Sequence, residues 1–187
     1  FIFAGKAHPK DTAGKDYIKK IFEAGQKLYD EYGVKVVLLE NYNMNLAHLL
    51  TSGVDVWLNT PTRYREASGT SGMKASLNGV PNFSVQDGWW LEGYRRNPMA
   101  GWAIGPDDSD PDDPGVSNDW EIDSNALYET LENDIIPTYW NHDDWIWRQK
   151  NAIALAAYFN THRMVEEYAK KAYLLKRQPV WKFEIEK

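Results

Sequence analysis

Residues 34–58 read VKVVLLENYNMNLAHLLTSGVDVWL, and this stretch decides the fold. Val34–Glu40 is a short, continuous apolar run rich in β-branched residues, the mark of a strand covered on both faces. A helix follows from about Asn45 to Ser52 and stops at Gly53, a residue suited to the left-handed turn that ends many helices. Val54–Leu58 is then a second short apolar strand. Strand, helix and strand in so short a span make a crossover unit, and crossovers join parallel strands with a right-handed turn.

The same alternation extends outward. Phe1–Gly5 reads as a buried strand that stops at a glycine. After Pro9, Asp11 or Thr12 can cap a helix carrying Tyr17, Ile18, Ile21, Phe22, Leu28 and Tyr29 at helical spacing, ending at Gly33. Downstream, residues 59–70 form a polar loop. A short helix runs from Ser71 to Asn78 and stops at Gly79, and Phe83–Val85 is the next strand. The order predicts an α/β protein, a Rossmann-like parallel sheet with helices on both faces. A helical C-terminal tail is expected over about 124–134, 143–159 and 161–176. Residues 1–122 are expected to form a partial Rossmann-like domain, and 123–187 to be helices packing back on it or on a domain outside this chain. In such sheets ligands bind beyond the carboxyl ends of the strands. Here those ends are the loops around 5–9, 40–44, 59–71 and 86–94.

Composition narrows the function classes. The 187 residues are 43% hydrophobic and 26% charged, which is a globular balance. A net charge of -6 argues against sequence-independent nucleic-acid binding, which needs Lys and Arg on phosphates. The longest apolar run, Ala152–Phe159, falls well short of the roughly 20 residues a membrane helix needs, so no membrane span is expected. With no cysteine there is neither a disulfide scaffold nor a thiolate zinc site, and a cytoplasmic setting is expected. The chain has no initiator Met and no signal peptide, and reads as a piece of a longer protein. Within the acidic stretch 106–119, Asp108-x-Asp110-x-Asp112 invites a calcium loop. The required Gly and Glu are replaced by Asp113 and Asp119, so a solvated loop is expected and no metal site. Of the nine tryptophans, Trp89, Trp90 and Trp102, with Tyr94, either border a sugar path or pack in the core. His8, at a strand's carboxyl end, reads as a turn residue.

The chemistry concentrates in residues 63–74, RYREASGTSGMK. This small, polar, glycine-containing loop follows a buried strand and enters a helix. Free N–H groups at the helix start, with the Thr70 and Ser71 hydroxyls, make an anion site. Lys74 is expected in the first helical turn, where the positive end of the dipole disfavours an ammonium and favours the free amine of imine chemistry. Phosphate at the helix start with an amine one turn along suits pyridoxal phosphate. The Walker spacing is absent, since Ala75 follows the lysine. Glu66 can cap the loop or pair with Arg63 or Arg65.

Glu66–Lys74 with Asn78-Gly79 resembles the cofactor segment of the α-glucan (glycogen, starch, maltodextrin) phosphorylases. The resemblance takes in Gly5-Lys6-Ala7-His8-Pro9, Leu39-Glu40-Asn41-Tyr42, Asp55 eleven residues before Glu66, and Asp87-Gly88, in order over residues 3–105. Ser71-Gly72 and Asp87-Gly88-Trp89-Trp90 are similar to the shorter bacterial and archaeal branch. The resemblance implies the C-terminal half of a two-domain GT-B glycosyltransferase. Lys74 would hold pyridoxal phosphate as a Schiff base, whose phosphate exchanges a proton with the substrate phosphate. The reaction implied is retaining phosphorolysis of α-1,4-glucan by inorganic phosphate to glucose 1-phosphate. Thr70, Ser71 and Gly72 would cradle the cofactor phosphate and Tyr42 would lie beside it, while Glu66, Ser68 and Gly69 would bind the glucosyl unit. The family's basic phosphate-handling segment and its N-terminal domain lie upstream of the matched region. The 187 residues alone are therefore expected to be inactive, and apolar surface on the tail helices would let them self-associate. A nucleotide-sugar-dependent glucan synthase and a non-catalytic glucan-binding module are the competing readings.

Overall fold

The computed structural model describes residues 1–65, 68–105 and 120–174. Glu66, the acidic stretch 106–119 with its Asp108-x-Asp110-x-Asp112 series, and the end of the last expected helix lie outside the described residues. The chain divides into two compact units, Phe1–Leu50 and Thr51–Lys187.

In the first unit, β1 (Ile2–Ala4) pairs in parallel with β2 (Val37–Leu39), Ile2 opposite Val37 and Ala4 opposite Leu39. The crossover between them is α1 (Thr12–Tyr32). Asp11 caps α1, its carboxylate accepting the Gly14 N–H at 2.8 Å, so an orphan donor of the first turn is satisfied. Gly33 ends the helix at φ 69°, its N–H donating to the Tyr29 carbonyl at 2.9 Å. His8 is a turn residue, its Nδ1 accepting the Lys10 N–H at 3.2 Å. The expected apolar stripe of α1 is not covered within this unit: Tyr17, Phe22 and Tyr29 are exposed, and of this helix only Gly25 is buried. Two strands of three residues offer too little surface to cover a 21-residue helix. After β2, Asn43 accepts the Leu46 N–H at 3.1 Å and so starts α2 (Met44–Gly53).

The second unit holds a three-stranded parallel sheet, β3 (Trp57–Asn59), β4 (Asn82–Val85) and β5 (Gly101–Ile104), with β4 in the middle. Leu58 stands opposite Phe83, and Phe83 opposite Trp102. Helices α3 (Thr70–Leu77) and α4 (Trp89–Arg96) lie on the two crossovers. The tail comprises α5 (Trp120–Thr130), a wider helical turn over Leu131–Ile135, α6 (Ile136–Trp140), α7 (His142–Tyr158) and α8 (Thr161–Tyr168). All strand pairing is parallel and helices intervene, as the α/β reading predicts, although the strands pair as two sheets. β4 carries helices on both faces. Its Asn82 side chain meets α3, while Phe83 and Val85, one step out of phase, pack with Trp102, Ile104, Ile135 and Trp145.

Two elements were not visible in the sequence, α4 and β5. In the run Trp89–Arg96 the buried face is Trp89, Trp90 and Gly93, one stripe at helical spacing that eight residues make easy to miss; the two tryptophans are 7% and 1% exposed and tilt against each other at 5.3 Å. The tryptophan question is thereby decided for packing. Trp102 is 3% exposed and its carbonyl accepts the Trp90 indole N–H at 3.2 Å. Tyr94, half-buried, packs on the cluster of Trp89, Trp90, Ala100 and Leu155. The sugar-path alternative for the three tryptophans is corrected accordingly. From α7, Arg148 donates to the carbonyls of Pro98 and Gly101, both at 2.9 Å, and lies over the Trp102 ring, tying the tail to β5.

Candidate functional site

The loop after β3 is held from two directions. Arg63 is buried, and its guanidinium grips both carboxylate oxygens of Asp123 in α5, at 2.5 and 2.7 Å, and also donates to the Ile104 carbonyl. The bidentate fork matches the planar carboxylate, the geometry in which such a pair is strongest. The fork thus ties the loop to a residue sixty positions away. From β4's carboxyl end, Asp87 accepts the Tyr64 N–H at 3.2 Å, where Tyr64 takes φ 63°. Ser68 offers its carbonyl to the Trp89 N–H at 2.9 Å.

Held this way, the chain turns at Gly69 (φ 80°) and enters α3 at Thr70, one residue before the expected Ser71. The left-handed backbone at Gly69 is open to a residue without a side chain. Among the described residues no side chain caps this helix start. By helix geometry the N–H groups of Thr70 and Ser71 have no partner within the helix and point out of its start. Ser68, Gly69, Thr70, Ser71 and Lys74 are exposed, while Gly72, Ala75 and Ser76 form the buried face of α3. Donors at the helix start, two hydroxyls and an amine thus lie together on one short exposed segment.

The dipole argument for Lys74 requires correction. Because α3 is only eight residues long and begins at Thr70, Lys74 lies in its last turn, and the first-turn premise fails. What the fold does supply is accessibility: Lys74 has no ion-pair or hydrogen-bond partner of its side chain among the described residues. Tyr42 lies in the first unit, half-buried, just after β2. Glu66 falls outside the described residues.

Two residues that shape this region, Asn82 and Asp123, escaped the sequence reading, as did the contacts by which Asp87 and Arg63 hold the loop. Asn82 left a trace, a carboxamide at the head of an otherwise strand-like NFSV run. Its two amide N–H groups reach the Gly72 carbonyl and the Ser76 hydroxyl. Among the described residues no cluster of His, Asp and Glu could hold a metal ion. None of the described helices is long and apolar enough to cross a membrane.

An exposed helix start can receive an anion, and an accessible amine can add to a carbonyl. Residues 1–95, which include this segment, match the carbohydrate phosphorylase family. The chain is 50% identical to the maltodextrin phosphorylase of Thermococcus litoralis, over 92% of its length and 20% of that relative's. It is 44% identical to the glycogen phosphorylase of Aquifex aeolicus, over 92% of its length and 24% of the relative's. With the glycogen phosphorylase of Mycobacterium bovis it shares 35% identity, over 92% of its length and 20% of the relative's. The chain thus spans about a quarter or less of these relatives. With the match taking in more than half its residues, the chain belongs to the carbohydrate phosphorylase family.

Proposed function

We propose that this chain is the C-terminal part of an α-1,4-glucan phosphorylase that depends on pyridoxal phosphate and releases glucose 1-phosphate from the non-reducing end. One observation carries the reading: the uncapped start of α3 and the accessible Lys74 amine lie on the same exposed segment, inside the region matching the family. The residues present fit the cofactor. Its phosphate is an anion for the N–H groups and hydroxyls of Thr70 and Ser71, and its carbonyl carbon needs an amine such as that of Lys74.

In this reading Lys74 holds the cofactor covalently, and Thr70, Ser71 and the Gly72 backbone hold its phosphate. When bound, pyridoxal phosphate supplies a phosphate group able to exchange a proton with the substrate phosphate. Ser68 and Gly69, with Glu66, bind the terminal glucosyl unit, since a sugar hydroxyl both donates and accepts. Arg63 and Asp123 keep the loop from shifting as glucan arrives, because moving either breaks a bidentate bond to a buried guanidinium. Residues 68–74 carry the cofactor and sugar contacts, and α5 and α7 brace the second unit around them. Because the chain spans 20–24% of its relatives, the remaining domain completes the site, and the 187 residues alone do not turn over glucan.

The test is absorbance of the purified chain and of the longer enzyme carrying it, before and after pyridoxal phosphate and then borohydride. A chromophore fixed by borohydride onto the peptide holding Lys74 supports the reading. Absence of label in the longer enzyme refutes it, and glucan turnover by the 187 residues refutes the division of labour.

A further inference from the structure

Asn82 is the polar residue buried deepest behind the helix that carries Lys74. It heads the central strand β4 and is 1% exposed. A carboxamide so buried is tolerated only when its polar atoms are used. Both N–H groups of its Nδ2 are: one donates to the Gly72 carbonyl at 3.1 Å, the other to the Ser76 hydroxyl at 2.8 Å. Gly72 and Ser76 are one turn apart on the inner face of α3, so the amide clasps the helix at two heights.

The same amide fills a hole. A Cβ built on Gly72 would stand 2.3 Å from Asn82 Oδ1 and 3.0 Å from the Trp89 indole nitrogen. Gly72 is thus a glycine because the Asn82 side chain occupies its side-chain space. An apolar residue at 82 could fill that volume, yet a smooth apolar contact lets a helix rotate and slide, whereas two directional bonds do not. Lys74 is two residues from both Gly72 and Ser76, which at about 100° per residue puts it on the opposite side of the helix from the clasp. Rotation of α3 about its axis therefore moves the Lys74 amine directly.

We propose that Asn82 is the positioning residue of this site, setting the rotation and depth of α3 and hence where the Lys74 amine and the Thr70–Ser71 helix start stand. The proposal rests on the reading of Lys74 as the cofactor lysine. Asn82 touches neither cofactor nor glucan in this role and acts through the helix.

The test uses the full-length enzyme carrying this segment, with pyridoxal phosphate as the probe. Three quantities are read: melting temperature, cofactor affinity by absorbance titration, and the fraction of Lys74 peptide fixed by borohydride. Asn82→Asp keeps the shape and removes the amide donors. Asn82→Ala with Gly72→Ala returns a methyl to the vacated space without restoring the bonds. Both should weaken cofactor uptake about tenfold or more, since misplacement by an ångström costs that much or more in a preorganised site. The double substitution should regain melting temperature relative to Asn82→Ala alone while its uptake stays weak. Ser76→Ala, which removes one acceptor and leaves Asn82 in place, is the milder variant should the others fail to fold, and should weaken uptake in the same direction. Variants that melt lower yet bind cofactor and label Lys74 like the unsubstituted enzyme overturn the proposal, leaving Asn82 a packing residue. Failure of the unsubstituted enzyme to label overturns the cofactor reading itself, and is seen before any substitution is made.

Discussion

Replacing Asp123 with asparagine should destabilise this protein more than any exposed substitution, because it strands a charge. The Arg63 side chain is 1% exposed and that of Asp123 is 20% exposed. Two hydrogen bonds, at 2.5 and 2.7 Å, join them, and the guanidinium also donates to the neutral Ile104 carbonyl. Removing one partner of a buried pair costs about 3–5 kcal/mol, because the other charge stays desolvated. Water reaching the part-exposed Asp123 favours the lower end, about 3 kcal/mol, a large share of the roughly 5–15 kcal/mol of a typical domain. At roughly 2–4 °C per kcal/mol for a chain of this size, the melting temperature should fall by about 6–12 °C. Scanning calorimetry on Asp123→Asn reads this directly. The double variant Arg63→Met/Asp123→Leu should recover most of the loss, since an apolar pair of similar volume needs no solvation. A drop below about 2 °C in the single variant, or a double variant worse than the single, would refute the reasoning by showing that solvent already screens the pair.

Gly69→Ala forces a side chain into the left-handed region at φ 80° and should cost about 1–2 kcal/mol, read as an earlier urea midpoint with unchanged slope. Trp90→Ala empties the centre of the second core cluster and removes the indole bond to the Trp102 carbonyl, a loss of about 3–5 kcal/mol by the same melt. Lys74→Ala should leave stability within about 0.5 kcal/mol, because the residue is exposed, while abolishing the borohydride label. At the far end of the tail, the Lys171 ammonium donates to the Glu167 carboxylate at 2.7 Å and holds it below the usual carboxylate range. A group held low stabilises the fold above its unfolded value and loses that contribution as pH falls through the folded value. Lys171→Ala should therefore move the Glu167 titration upward, read by NMR, with little change in melting temperature because both side chains are in water.

Much of the protein is written in neighbouring residues. Gly5, Gly33 and Gly53 punctuate strands and helices, the apolar runs 34–40 and 54–58 mark strands, and Asp11 announces the helix it caps. The chemical segment, Ser68 to Lys74, is legible for the same reason, since an anion site at a helix start needs only a glycine turn, two hydroxyls and the helix itself. The family resemblance, visible in the same residues, agrees with the match over 1–95.

Other features came only with the tertiary structure. That α3 starts at Thr70, putting Lys74 in the last turn, depends on Trp89 and Asp87 reaching back to Ser68 and Tyr64. That Arg63 reaches Asp123 depends on α5 returning beside β5. Asn82 acquires its meaning from Gly72 and Ser76 facing it, and α4 becomes a helix with two buried tryptophans only because β5 and α7 give them separate places to pack. The division has one physical cause. Caps, turns and periodicity are interactions between residues a few positions apart, so they follow from order along the chain. Partners ten to sixty residues apart become neighbours only when the middle strand is in place, and sequence order alone does not choose among them.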